Sequence, residues 1–210
     1  MKTKFIYGFS LLLLLAFTQT YATPNTAEEV IKDTAEKVIA RLKSERSELE
    51  AHPEKLYSLI NEIIIPNFDF VSMSKWVLAK NWKAASEAQQ GQFVDEFRTL
   101  LVRTYAKALL EYSEQEIIYL PVENNPDSNV VLVKTEVQQP GAKSVPINYS
   151  LHVSGGAWKV IDVAVDGISL VATYRGSFAS EIRKSGIDAL IAKLAERNST
   201  ATADDATAAR

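Results

Sequence analysis

Few side chains in this chain are placed to do chemistry. Asp162 and Asp166 lie four residues apart in "WKVIDVAVDG". On a regular strand an even offset puts both on one face. Two carboxylates sharing a site can divide into an acid and a base. Asp166, however, belongs to an Asp-Gly turn, and we read Asp162 as the partner of a nearby Lys or Arg. Tyr174 and Arg175 are adjacent. Neighbours on a helix diverge by about 100°, so the two do not face one pocket. We read Arg175 as a surface or ion-pair residue and Tyr174 as a core or pocket-lining one. Only two histidines occur, His52 and His152. Neither stands in a metal-ligand spacing such as H-E-x-x-H, and both read as surface or rim residues. The chain has no cysteine, hence no thiol nucleophile and no zinc–thiolate site. It carries no Walker A loop, nucleophile elbow or dinucleotide glycine pattern. An enzyme reading, an isomerase or hydratase of a cupped fold, would rest on Asp162 with Tyr149.

The elements that would position these groups fall into three stretches. The first is helical, over residues 26–113. Val30, Ile31, Val38, Ile39 and Leu42 form one side of a long helix from Ala27 to Leu49. His52-Pro53 breaks it, and Pro53 opens a second helix to Ile64. Phe68 to Leu78 reads as one or two short helices. Ser86 with Gln89 three residues on is a capping-box signature, and it precedes the strongest 3.6-residue period in the chain. The second stretch, 116–165, is β-branched and partly alternating. Turn signals at Asn124 to Asp127, Pro140-Gly141 and Gly155-Gly156 divide it into about four antiparallel strands. The third stretch, 167–196, returns to helical spacing and is interrupted at Gly186. Residues 198–210 have no apolar face and read as disordered.

The N-terminus stands apart. Lys2 and Lys4 precede an apolar run from Phe5 to Phe17, and Thr20 and Ala22 occupy the −3 and −1 positions of a cleavage site. This predicts a secretory signal peptide over 1–22. The run is shorter than the roughly 20 residues needed to span a bilayer. Its removal takes the formal charge from −3 to −5, so nucleic acid is not an expected partner. An exported domain without disulfides must be held by its core, which points to a bacterial periplasm. Apolar and aromatic residues are abundant, and composition fits a solid core as well as a cavity under a cupped sheet.

Two tracts carry a family resemblance. "WKVIDVAVDGISLVATYRGSFASEIRKSGIDALIAKL" (158–194) and "PNFDFVSMSKWVLAKNWKAASEAQQGQFVDEFRTLLVRTYAKAL" (66–109) resemble the toluene-tolerance / MlaC family. The shared pattern is Asp166 to Leu170, then Tyr174-Arg175, Phe178 and Gly186 to Ile191, and the likeness runs over about 26–196. It implies an α+β fold: a nuclear-transport-factor-2-like cupped antiparallel sheet with helices over it and an added helical part, a single domain over 23–197. It further implies a periplasmic phospholipid carrier, not an enzyme, with phospholipid as cargo and no cofactor or metal. The implied partners are an outer-membrane lipoprotein–porin complex and an inner-membrane ABC transporter with an MCE-domain subunit, in a system that maintains outer-membrane lipid asymmetry. A monomer is expected. Periodicity and the resemblance together nominate Phe97, Leu101, Tyr105, Ile147, Tyr149, Leu151, Trp158, Val160, Leu170 and Tyr174 as lipid-binding. With this resemblance, "VDGISLVATYRGSF" (165–178) reads as a strand-to-helix turn rather than a catalytic segment.

Overall fold

A computed structural model describes residues 26–111, 115–122, 128–138, 141 and 143–208. The predicted signal peptide, the turn at Asn124 to Asp127 and Pro140 lie outside the described residues.

Helix α1 (Ala27–Ala51) opens on a capping box. The Glu29 amide donates to Thr26 Oγ1 at 3.2 Å, and the Thr26 amide donates to Glu29 Oε2 at 2.7 Å. Two of the orphan donors of the first turn are thereby satisfied. After His52, α2 (Pro53–Leu59) starts with proline at a position that needs no amide hydrogen. It does not continue as one α-helix to Ile64. It widens into a π turn (Ile60–Ile64) and then tightens into a 3-10 turn (Ile65–Asn67) around Pro66. Proline at 66 removes an amide the helix would have used. Next come α3 (Phe70–Leu78), α4 (Lys80–Ala84) and the long α5 (Glu87–Leu110). The predicted Ser86/Gln89 box caps α5.

The sheet is a five-stranded antiparallel meander in the order β1 (Glu116–Tyr119), β2 (Val130–Gln138), β3 (Val145–Ser154), β4 (Ala157–Val165) and β5 (Ile168–Ser169). The fifth strand is only two residues long and forms inside the Asp-Gly-Ile-Ser turn. Asp166 (φ 48°) and Gly167 (φ 79°) both lie at positive φ, as a tight hairpin turn matched to strand twist requires. A bulge interrupts the β3–β4 register: Ser150 faces Asp162, but Leu151 faces Val160, and Ile161 is left over. Val160 and Val163 therefore both keep the face of Leu151 and Tyr149. Ile161 joins the buried cluster under α3, α5 and α6.

Helix α6 (Leu170–Ala208) is broken at Gly186, whose φ of 84° only glycine adopts freely. The expectation of a disordered tail from residue 198 is corrected here: the helix runs on to Ala208. Asn198 is buried and its Nδ2 donates to the Glu96 carbonyl at 3.0 Å and to its carboxylate at 2.6 Å.

Three buried clusters hold the fold. One joins α3, α5, α6 and Ile161. A second joins α1, α2, the π turn and α5. The third sets Ala27 and Ile31 on Val133, Leu151 and Val160 of the sheet. Among the described residues, Ala79 is one of two non-glycine positions at positive φ (49°, with ψ −118°). An L side chain is strained there. Ala79→Gly is expected to raise the unfolding free energy by about 1 kcal/mol; an unchanged or lowered value in denaturant titration would contradict strain at this position.

Candidate functional site: two apolar cavities with a common wall

Two cavities open between the sheet and α5, the first closed by α1 and the second by α3 and the start of α6. The first, of about 330 Å³, is lined by Ile31, Val38, Ile39 and Leu42 of α1, by Ile117, Val137 and Val160 of the sheet, and by Glu111 and Gln115 at one end. The second, of about 350 Å³, is lined by Ile60, Ile65, Phe70, Met73, Leu101, Tyr105, Val163, Val165 and Leu170. Ile64, Phe68, Ala108, Leu109, Ile147 and Tyr149 line both. These six form the partition.

The partition is built by the irregular stretch between α2 and α3. The π turn sets Ile60 and Ile64, and then Ile65, toward the second cavity; such turns recur at functional sites. Residues 66–69 are then stitched to the free edge of β4. Lys159 Nζ donates to the Pro66 carbonyl at 2.5 Å, Phe68 bridges Val160, and the Asp69 amide donates to the Val160 carbonyl at 2.9 Å.

Thr34 and Asn67, polar residues of the first cavity's wall, are paired with each other. Thr34 Oγ1 donates to the Val30 carbonyl at 2.6 Å and accepts from Asn67 Nδ2 at 2.9 Å. The Thr135 hydroxyl donates to the Ile147 carbonyl at 2.8 Å. Burial pushes the Tyr149 phenol up, and the Thr135 hydroxyl only partly offsets this. Burial, with the Tyr174 hydroxyl beside it, pushes Tyr105 up to about 12. Both phenols are therefore neutral at any physiological pH. Little hydrogen-bonding capacity faces the cavities, which suits an apolar occupant.

Six of the ten nominated residues line a cavity. Ile147 and Tyr149 line both, Val160 the first, and Leu101, Tyr105 and Leu170 the second. The other four do not. Phe97 is buried in an aromatic stack with Phe93, Tyr174 and Phe178. Tyr174 completes that stack and lines neither cavity. Leu151 is buried, and Trp158 packs against the same cluster, with Ala27 and Ile31 of α1. The helix face of α5 is solid near Phe97 and hollow near Ala108, and a period of 3.6 cannot distinguish the two. Reading by sequence also missed the α1 residues, Phe68 and the partition. The α1 stripe was visible, and the density of "IIIPNF" was the available signal for the rest.

The nominated chemistry is not assembled. Asp162 pairs with neither Lys nor Arg. Its Oδ1 accepts from the Val171 amide at 3.1 Å and its Oδ2 from Ser169 Oγ at 2.5 Å, so it caps α6. Asp166 sits exposed in its turn. Tyr149 pairs with Val163 and Ser150 with Asp162 in the ladder, so Tyr149 and Asp162 point to opposite faces. Arg175 Nε donates to the Trp76 carbonyl at 2.7 Å and pins α6 to α3. His152 is more than a rim residue: Nε2 lies 2.9 Å from Asp69 Oδ2. No group of three or more His, Cys, Asp or Glu able to hold a metal occurs among the described residues.

Asp69 caps α3 and accepts from the Ser72 amide and hydroxyl, both at 2.9 Å. Burial alone would push its carboxyl up; the Ser72, His152 and Ser154 bonds outweigh that and hold it below the ordinary carboxylate range. A depressed carboxyl stabilises the fold above its unfolded value, about 3.9, and that stability is lost as pH falls through the folded value. Acid unfolding should therefore steepen below about pH 4. Asp69→Ala should flatten that limb and cost about 1 kcal/mol at neutral pH; parallel acid limbs for the two proteins would contradict it.

The family model described as MlaC protein matches residues 32–196. The chain belongs to the MlaC family. Among its relatives, the toluene tolerance protein ttg2D of Pseudomonas putida is 29% identical over 179 residues, 85% of this chain and 83% of that protein. The intermembrane phospholipid transport system binding protein MlaC of Haemophilus influenzae is 25% identical over 187 residues, 87% of each. A solved structure, the phospholipid-binding protein of Ralstonia solanacearum in complex with a phospholipid, superposes with a TM-score of 0.78 at 30% identity, over 85% of this chain and 99% of that one. The fold expected from the family resemblance, helices over a cupped antiparallel sheet, is the MlaC fold found here.

Proposed function

We propose that this MlaC-family chain is a phospholipid carrier that holds acyl chains in the two cavities and leaves the head group at the surface. The carrying observation is the pair of apolar cavities with a common wall that carries one polar side chain, Tyr149. Two acyl chains of about 30 methylenes together cost over about 20 kcal/mol to leave in water, at about 0.8 kcal/mol each. A carrier therefore needs enclosed apolar volume rather than a polar constellation. The names of the relatives support phospholipid as the cargo. In this reading the chain is exported to the periplasm after cleavage at Ala22. There it passes lipid, as a monomer, between an outer-membrane lipoprotein–porin complex and an inner-membrane ABC transporter with an MCE-domain subunit, and so maintains outer-membrane asymmetry. No described helix is long and apolar enough to cross a membrane.

The delipidated protein should bind an acyl-labelled phospholipid saturably, with the labelled chain shielded from aqueous quenchers. A label that stays fully quenchable would refute cavity binding. N-terminal sequencing of the exported protein should begin at Thr23; a product beginning at Met1 would refute the processing.

A further inference from the structure

The surface formed by α3, α4 and the start of α6 is unlike the rest of the chain. Trp76 and Val71 are each 46% exposed. Lys75, Lys80, Lys83 and Arg175 are exposed on the same elements. No carboxylate occurs between Asp69 and Glu87, or between Leu170 and Glu181, in a chain with a net charge of −3. Asp69 itself is engaged by Ser72 and His152. Arg175 is tied to the Trp76 backbone carbonyl, so the start of α6 is held against α3 at the exposed indole's own residue. Lys75 leans over the Trp82 ring at 5.9 Å. The same elements wall the second cavity through Phe70, Met73 and Leu170.

We propose that this face is where the protein rests on an anionic phospholipid bilayer. The inference rests on the carrier reading above and adds a surface by which the carrier rests on the membrane that holds its partner complexes. Exposed apolar side chains on short helices that also carry exposed lysines suit the interfacial region of a membrane, where an amphipathic ring lies at head-group depth. Each Lys or Arg near an anionic surface strengthens binding about fivefold, and the attraction fades within a Debye length. Three lysines together therefore give about a hundredfold. The acidic remainder of the chain is repelled by the same surface, which orients this face inward.

The test is flotation of the purified mature protein with vesicles of phosphatidylcholine alone or mixed with phosphatidylglycerol, at low and high salt. Binding is expected only with phosphatidylglycerol, and it should fall at high salt. The Lys75→Gln/Lys80→Gln/Lys83→Gln variant should bind about a hundredfold more weakly, and Trp76→Ser should weaken binding independently. Both variants should retain the phospholipid content of the wild type, measured by lipid extraction, which keeps this test separate from the carrier reading itself. Wild-type protein that ignores phosphatidylglycerol vesicles would overturn the proposal and leave the face to an acidic protein partner. Undiminished vesicle binding by the triple variant would overturn it as well.

Discussion

Ala108→Trp is expected to leave a folded protein that has lost at least about nine-tenths of its bound phospholipid, a tenfold change or about 1.4 kcal/mol. Ala108 lines both cavities and is exposed, in the last turn of α5. An indole there occupies the space of both acyl chains at once. Overpacking a filled core costs about 1–3 kcal/mol; filling a void should cost less, so circular dichroism and the melting midpoint should change little. Ile147→Asp attacks the same partition by charge. A lone carboxylate beside an acyl chain must be desolvated or draw water in, and the lipid should again be lost. Leu151→Asp makes a contrast. Leu151 is buried in the solid cluster under α1, so a charge there should unfold the protein rather than empty it. Full lipid occupancy in a folded Ala108→Trp protein would show that the chains lie elsewhere.

Asp162→Ala should produce the opposite pattern: a loss of about 1–3 kcal/mol in stability with lipid content unchanged. Its carboxylate satisfies the Val171 amide and the Ser169 hydroxyl where β5 passes into α6. Removing it orphans a buried donor at the start of the helix that covers the sheet. Asp162→Asn keeps an acceptor and should recover part of the loss. If Asp162 were instead a catalytic acid or base, its removal would abolish a turnover while leaving the melting midpoint in place. Denaturant titration together with lipid extraction separates the two outcomes.

Local signals with a one-to-one physical cause were legible in the sequence. The Ser86/Gln89 box, the Asp166-Gly167 turn and the Gly186 break each require a particular residue type, and each stands where it was read. Strand periodicity found the meander, but it could not show the bulge. One spare residue at Ile161 moves Val163 onto the face of Val160, and alternation alone would have put them on opposite faces. Long-range pairs were out of reach for a different reason. Asp69 and His152 are 83 residues apart, and Asn198 and Glu96 are 102 apart; no local pattern connects them. The cavity itself was half legible. Apolar residues at helical spacing look the same whether they meet another side chain, as Phe97 does, or an open volume, as Ala108 and Leu109 do.

The most direct measurement is mass spectrometry of the intact, natively purified mature protein, followed by analysis of its organic extract. A mass increment equal to whole phospholipid molecules is expected, with a diacyl phospholipid in the extract and the increment absent from Ala108→Trp. A wild-type protein that carries no lipid by either analysis, and takes none up after exposure to phospholipid vesicles, would contradict the carrier reading.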